Sequence, residues 1–311
     1  MKERKMRNSF LLLLTALIWG VAFVAQSAGG DAVGPYTFNC VRMILGGISL
    51  LPVIFIMDHV KPSARRPVTR EQRKELLLGG VSCGAILFVA SSFQQMGIFL
   101  GTPAGKAGFL TACYILLVPI IGLFFRKKCG WNIWAGVVLA VLALYLLCMN
   151  GPFLLQLSDG LVLLCALCFS FHIIVVDHFA PKVDGVRMSC IQFFTCGILG
   201  ILPTVLLEMG HTQESVRLWL SGFAAWDAWI TILYAAVLSC GVAYTLQIIG
   251  QEGLHPTVAS LLMSLESVFS VIAGWVILKE GMTPRELTGC MIMFVSICLA
   301  QMEVDRKWQE K

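Results

Sequence analysis

Long apolar runs, separated by short polar or turn-forming stretches, recur along the whole chain. They fall at about 9–27, 35–57, 76–99, 104–125, 131–149, 158–177, 186–207, 228–250, 255–278 and 284–302. A helix needs ~20 mostly apolar residues to cross the hydrocarbon core of a bilayer, and each run is about that long. Gly34-Pro35, Gly101-Thr102-Pro103, Asn150-Gly151-Pro152, His255-Pro256 and Thr283-Pro284 stand in the gaps. Such pairs end helices and turn chains. The pattern predicts an all-α integral membrane protein of ten transmembrane helices.

Sliding the chain against itself brings out an internal repeat. Thr15-Ala16-Leu17 and Trp19-Gly20 face Cys165-Ala166-Leu167 and Phe169-Ser170 at an offset of 150. Gly34, Gly46 and Pro52 face Gly185, Gly197 and Pro203 at 151, and Gln94, Gly97, Pro103 and Gly136 face Gln247, Gly250, Pro256 and Gly289 at 153. The expected organisation is one five-helix repeat over 1–150, with a basic cytoplasmic loop at 58–75, and a second over 151–311. Five crossings is an odd number, so the second repeat enters the bilayer from the opposite side. Inverted repeats of this kind build many secondary transporters, with the binding site near the midplane.

Composition agrees with lipid as the solvent. Of 311 residues 58% are hydrophobic and 13% charged, against ~25% charged in an ordinary soluble domain. The placement of the 23 basic residues then sets orientation. With the N-terminus inside, eighteen lie in inner segments, including Lys2 to Arg7, Lys61 to Lys74 and Arg126-Lys127-Lys128. Four, Lys106, Arg217, Lys279 and Arg285, lie in outer ones, and Arg42 is within a helix. The expected location is a cytoplasmic or inner cell membrane, multi-pass, with both termini cytoplasmic. The start imitates a secretory signal, with Ala25-Gln26-Ser27 as a cleavage-like site, but its apolar run exceeds the ~7–15 residues of a signal core. It reads as a retained first helix.

The twelve cysteines fall mostly inside apolar runs, where they act as small hydrophobes. The one CxxC, Cys165 to Cys168, has no second pair at zinc-like spacing. No cofactor, metal or nucleic-acid partner is expected. Gly80 to Gly84 and Gly97 to Gly101 are GxxxG patterns that report close helix approach, and no Walker-type lysine follows them.

The stretches Ala16-Leu17-Ile18-Trp19-Gly20, Arg42, Ala243-Tyr244, Pro256 to Ser260, Leu265-Glu266-Ser267-Val268, Glu280 and Gly289 carry a family likeness. The chain resembles the drug/metabolite transporter superfamily, specifically its EamA-like ten-helix members. It departs from them at Ser267, where proline is common, and at Arg126-Lys127-Lys128, where an acidic residue is common. The resemblance implies secondary active transport of amino acids, related metabolites or drugs, coupled to protons.

Polar residues inside the runs are the candidate site, because a charge at the bilayer centre costs at least ~2.5–3.5 kcal/mol and faces a partner or a wet cavity. Glu266 lies midway along the ninth run, ~120° round the helix from the small-residue stripe of Ser260, Ser264 and Ser267. It is expected in a central cavity as a proton or substrate-amine site, or tied to a polar neighbour. Gln94 and Gln247 are repeat partners with Ser91 and Tyr244 three positions earlier, which places each pair on one helix face. They are expected to face a two-fold cavity, the alternative being interhelical hydrogen bonds worth ~1 kcal/mol or less each. His172, Trp19 and Tyr114 either line that cavity or pack. Arg42, which the resemblance places in the second helix generally, is expected in a structural or gating ion pair. His172 and Asp177 reproduce an H-x4-D spacing, but lie ~500° apart around a helix, so a catalytic pair is not expected.

The expected function is export of a small metabolite such as an amino acid by alternating access, with membrane lipid, substrate and protons as partners, as a monomer or homodimer. The chain is not expected to be an enzyme. The alternatives are an intramembrane transferase, which needs catalytic groups converging near one membrane face, and a non-transporting scaffold or sensor.

Overall fold

The computed structural model describes residues 2–60, 66–102, 104–124, 129–149, 156–269, 272 and 283–302. The second half of the ninth run, Lys279, Glu280, Arg126 to Lys128 and everything after 302 lie outside them. The described residues are helical throughout, with short connections. In order, α1 is Lys2–Val33, α2 Pro35–Val60, α3 Arg70–Phe99, α4 Ala104–Ala112, α5 Tyr114–Phe124, α6 Trp131–Cys148, α7 Leu157–Phe179 and α8 Gly185–Pro203. A π-helical turn, Thr204–Met209, extends α8. After it come α9 Gln213–Ser221, α10 Trp226–Leu233, a π segment Tyr234–Tyr244, α11 Thr245–Gln251, α12 Pro256–Met263 and α13 Pro284–Gln301.

Every apolar run is helical where it is described. Among the described residues, seven helical stretches are long and apolar enough to cross a membrane, and Trp131–Leu147 and Pro256–Phe269 are shorter apolar helices. The protein is therefore an all-α, multi-pass membrane protein. The outward-facing side chains match a lipid solvent: Phe55, Leu77, Ile198 and Phe294 are all exposed.

Local chemistry sets the helix ends. The Thr69 hydroxyl accepts from the Gln72 N–H and the Gln72 side chain accepts from the Thr69 N–H, a reciprocal capping box. This cap starts α3 at Arg70, while α2 runs on to Val60. The basic connection expected over 58–75 is correspondingly shorter, and Arg70, Arg73 and Lys74 belong to the first turns of a helix. Gly34, at φ 92°, makes the turn from α1 to α2, a backbone setting that glycine tolerates best. Glu208 then caps α2 from across the fold. Its Oε1 accepts the Tyr36 N–H at 2.8 Å and its Oε2 accepts the Thr37 N–H at 2.6 Å. A carboxylate is favoured there because the first N–H groups of a helix are unpaired and carry the positive end of its dipole.

Close contacts at glycine join the helices in matched pairs. A Cβ at Gly97 would meet Val162 at 2.5 Å and the Ser158 carbonyl at 2.9 Å, and one at Gly250 would meet Leu12 at 3.0 Å and the Asn8 carbonyl at 3.1 Å. Between α6 and α13, Gly136 abuts the Ser296 carbonyl and Ala300, while Gly289 abuts Leu147 and the Ala143 carbonyl. Each contact becomes its counterpart when its residues are shifted by the 150–153 positions of the sequence repeat.

Candidate functional site: a central polar cavity

The helices surround a small, partly open cavity with about 40 Å³ of free space, against the ~10–15 Å³ that one water needs. Trp19, Phe23 and Gln26 line it from α1, Arg42 from α2, Gln94 from α3, Thr111 from α4 and Tyr114 from α5. Phe169 and Ile173 line it from α7, Ser239 and Tyr244 from the π segment, Gln247 from α11, and Met263 and Glu266 from the ninth run. Seven of the eight residues singled out in the sequence thus converge on one space: Glu266, Gln94, Gln247, Tyr244, Trp19, Tyr114 and Arg42.

His172 is the one that does not reach it. It is fully buried behind the wall, with Nε2 3.2 Å from Gln192 Oε1. Its ring meets the rings of Tyr244 and Phe169 edge to face, at 6.1 and 6.4 Å.

Two helices break where they meet the cavity. The α4–α5 run tightens at Cys113, whose N–H bonds to the Leu110 carbonyl, while the Leu116 N–H bonds to that of Cys113. The ninth run tightens the same way: the Leu265 N–H bonds to the Leu262 carbonyl and that of Ser267 to Ser264. These i→i+3 bonds are 3₁₀ turns, which inside a helix often mark a hinge. Cys113 and Glu266 are equivalent at the repeat offset of 153. The breaks present Tyr114 and Glu266 to the cavity from adjacent positions in the two repeats.

The charged groups are held differently. The Asn39 Nδ2 donates to the Ser91 carbonyl at 2.9 Å, and Asn39 Oδ1 accepts from Arg42 Nε at 2.9 Å. The guanidinium also lies over the Phe38 ring, 5.4 Å from its centroid. Arg42 therefore leans on an amide and an aromatic ring one turn away, and among the described residues no carboxylate pairs with it. Nε is engaged by Asn39, and Arg42 is one of the residues lining the cavity.

Glu266 Oε1, Tyr114 Oη and Gln247 Oε1 are buried without a partner at hydrogen-bond geometry among the described residues. Tyr114 and Glu266 nonetheless face each other within hydrogen-bonding reach, so a small shift pairs them. Leaving Gln247 Oε1 unpaired costs ~1–3 kcal/mol, which suits a polar occupant. Gln94, by contrast, is engaged, donating through Nε2 to the Thr111 hydroxyl at 3.0 Å.

A closed contact lies at one end of the bundle. Asp159 Oδ2 accepts from Lys106 Nζ at 2.5 Å and from the Gln156 N–H at 2.7 Å, and Oδ1 accepts from the Thr102 hydroxyl at 3.0 Å. The Asp159 side chain is 1% exposed. Lys106→Met removes the charged donor from a buried acceptor, and we expect a loss on the order of 1–3 kcal/mol. Lys106→Met/Asp159→Asn should recover part of it. Thermal unfolding of the four proteins of the cycle in detergent checks this.

The sequence profile of the EamA-like transporter family matches residues 6–149 and again 156–302. The chain belongs to the EamA-like transporter family. An uncharacterized transporter of Archaeoglobus fulgidus is 26% identical over 298 residues, 94% of this chain and 85% of that protein. The threonine/homoserine exporter RhtA of Escherichia coli is 26% identical over 280 residues, 89% of this chain and 85% of RhtA. A probable amino-acid metabolite efflux pump of Salmonella typhimurium is 23% identical over 307 residues, covering 94% and 93%. A protein crystal structure 16% identical in sequence superposes with a TM-score of 0.74 over 95% of this chain and 96% of that one, so the fold is shared. As an EamA-like transporter, the chain has a membrane lipid environment and a small-molecule cargo.

Sequence reasoning missed several parts of the site. Gln26 was visible only as part of a signal-like tripeptide, and Phe23 and Thr111 looked like ordinary helix residues. Asp159 sits at a helix start, where an acid looks like simple capping. The two helix breaks leave no signal stronger than a few small or polar residues.

Proposed function

We propose that this chain exports a small zwitterionic metabolite of the amino-acid type, by alternating access and coupled to protons, and that it has no enzymatic activity. The carrying observation is that two side chains of opposite charge, Arg42 and Glu266, line one cavity. Arg42 comes from the first half and Glu266 from the second, and their repeat equivalents, Phe193 and Cys113, carry no charge. A zwitterion fits with its carboxylate at Arg42 and its ammonium at Glu266, while Trp19, Phe23 and Tyr244 supply an apolar wall. Glu266 is also the proton site: protonation neutralises it and releases the ammonium.

On this reading ten helices cross an inner or cytoplasmic membrane as two inverted five-helix repeats, with both termini cytoplasmic. The reciprocal glycine contacts and the equivalent helix breaks at Cys113 and Glu266 support the two-fold relation. Two halves so related can exchange conformations about a fixed central site. The RhtA and efflux-pump relatives support both the cargo class and the outward direction. The chain acts as a monomer or homodimer.

The experiment is metabolite profiling of medium and cytosol from cells lacking and overproducing the chain. One or a few amino-acid-like zwitterions should rise in the medium on overproduction and accumulate inside on deletion. No change in any such compound, or accumulation in the opposite sense, contradicts the proposal.

A further inference from the structure

The eighth apolar run is wound unusually over Tyr234–Tyr244, where eleven consecutive residues are π-helical. π winding is rare, occurs mostly as single turns, and concentrates at functional sites. The α1 helix stitches this segment in place. The Thr15 hydroxyl lies 3.1 Å from the Ala243 carbonyl and equally 3.1 Å from the Leu11 carbonyl of its own helix, so its one proton bridges the two, and the Trp19 indole N–H donates to the Ser239 carbonyl at 3.3 Å. In return the Tyr234 hydroxyl donates to the Ile18 carbonyl at 2.9 Å. Thr15 is fully buried and is not part of the cavity wall.

The winding decides which side chains face the cavity. In an α-helix Ser239 and Tyr244, five residues apart, would lie ~140° apart around the axis. At roughly 4.4 residues per turn in a π-helix the angle closes to about 50°, and both residues line the cavity. Gln247 follows three residues later in α geometry, ~60° from Tyr244. Rewinding the segment to α would accumulate roughly 200° of rotation between Leu233 and Tyr244, carrying Tyr244 and Gln247 away from the site.

The repeat supplies an internal control. The residues equivalent to Thr15 and Trp19 are Cys165 and Phe169, a weak donor and a side chain with no donor. The helix they face in the other half, α3, is α-helical from Arg70 to Phe99. The strong donors and the π winding occur in the same half.

We propose that Thr15 is a positioning residue for the transport site: its hydrogen bond to Ala243 holds the eighth run in the π register that presents Tyr244 and Gln247 to the cavity. The link to cargo rests on the transport reading above; the register claim does not.

The test is Thr15→Val, which keeps the shape and removes the hydroxyl, beside Thr15→Ser, which keeps it. Each is combined in the full-length chain with a reporter, Gln247→Cys. Modification by a small water-soluble thiosulfonate is read at that peptide by mass spectrometry. In Thr15→Val, labelling at 247 should fall several-fold, and the KM for counterflow of labelled neutral L-amino acids, measured without the reporter, should rise about 10-fold. Thr15→Ser should match the parent in both. Reduced labelling with unaltered transport upholds the register claim and counts against the transport reading. Unchanged labelling in Thr15→Val, or an equal loss in Thr15→Ser, overturns the proposal. Should Thr15→Val fail to reach the membrane, Tyr234→Phe removes the bond at the other end of the segment and must lower labelling at 247 in the same way.

Discussion

Glu266→Gln should abolish proton-driven transport while leaving substrate exchange measurable. In proteoliposomes, flux through the parent protein should follow an imposed pH gradient. The variant's net flux should fall at least ~10-fold, the scale of one lost charge-assisted contact at ~1.4 kcal/mol, and become independent of the gradient. The reason is local. Glu266 is 4% exposed and lines the cavity, with the Tyr114 hydroxyl as its nearest polar neighbour. When ionised it needs a cation from the cargo, and when protonated it can let that cation go. Glutamine keeps the size and the hydrogen bonding but is fixed in the neutral state, so the cycle loses its proton and keeps its shape. Gradient-dependent flux that survives in Glu266→Gln removes Glu266 from the coupling mechanism.

Arg42→Gln should act on affinity more than on turnover. Hydrogen bonds to charged groups contribute ~1.5–3 kcal/mol, which corresponds to a rise in KM of about 10- to 150-fold for a zwitterionic cargo. A matching amine without a carboxylate should be affected far less. Arg42→Lys should fall between, because lysine keeps the charge but loses the planar fork whose Nε bonds to Asn39. Comparing KM for an amino acid and its decarboxylated amine in the three proteins checks this. Equal losses for both compounds would falsify the assignment of Arg42 to the carboxylate.

The membrane architecture was legible because its cause is one-dimensional. A bilayer demands ~20 apolar residues per crossing, and that demand is written along the chain. The proposed repeat rests on pairs such as Gln94 and Gln247 or Gly136 and Gly289, which keep their spacing of 153 residues. Most of the cavity followed from the same logic, since polar side chains in lipid-length runs have few places to go. The features that stayed hidden depend on partners distant in sequence. The π segment is held by Thr15 and Trp19, more than 200 residues earlier, so nothing local distinguishes it from α-helix. Glu208 caps a helix 171 residues away. The amphipathic α9 lies in a stretch without an apolar run, anchored by the Trp219 indole on the Thr37 hydroxyl at 2.8 Å. Arg42 has a near partner as well, Asn39, three residues earlier in the same helix.

The most direct test of the account is counterflow across a sealed membrane. The purified chain is reconstituted in proteoliposomes loaded with unlabelled neutral L-amino acids, and a trace of the labelled compounds is added outside. The account predicts a transient accumulation of label above its external concentration, absent from Arg42→Gln/Glu266→Gln and from empty liposomes. No accumulation of any amino acid by the parent protein, or equal accumulation by the double variant, contradicts a carrier built around that cavity.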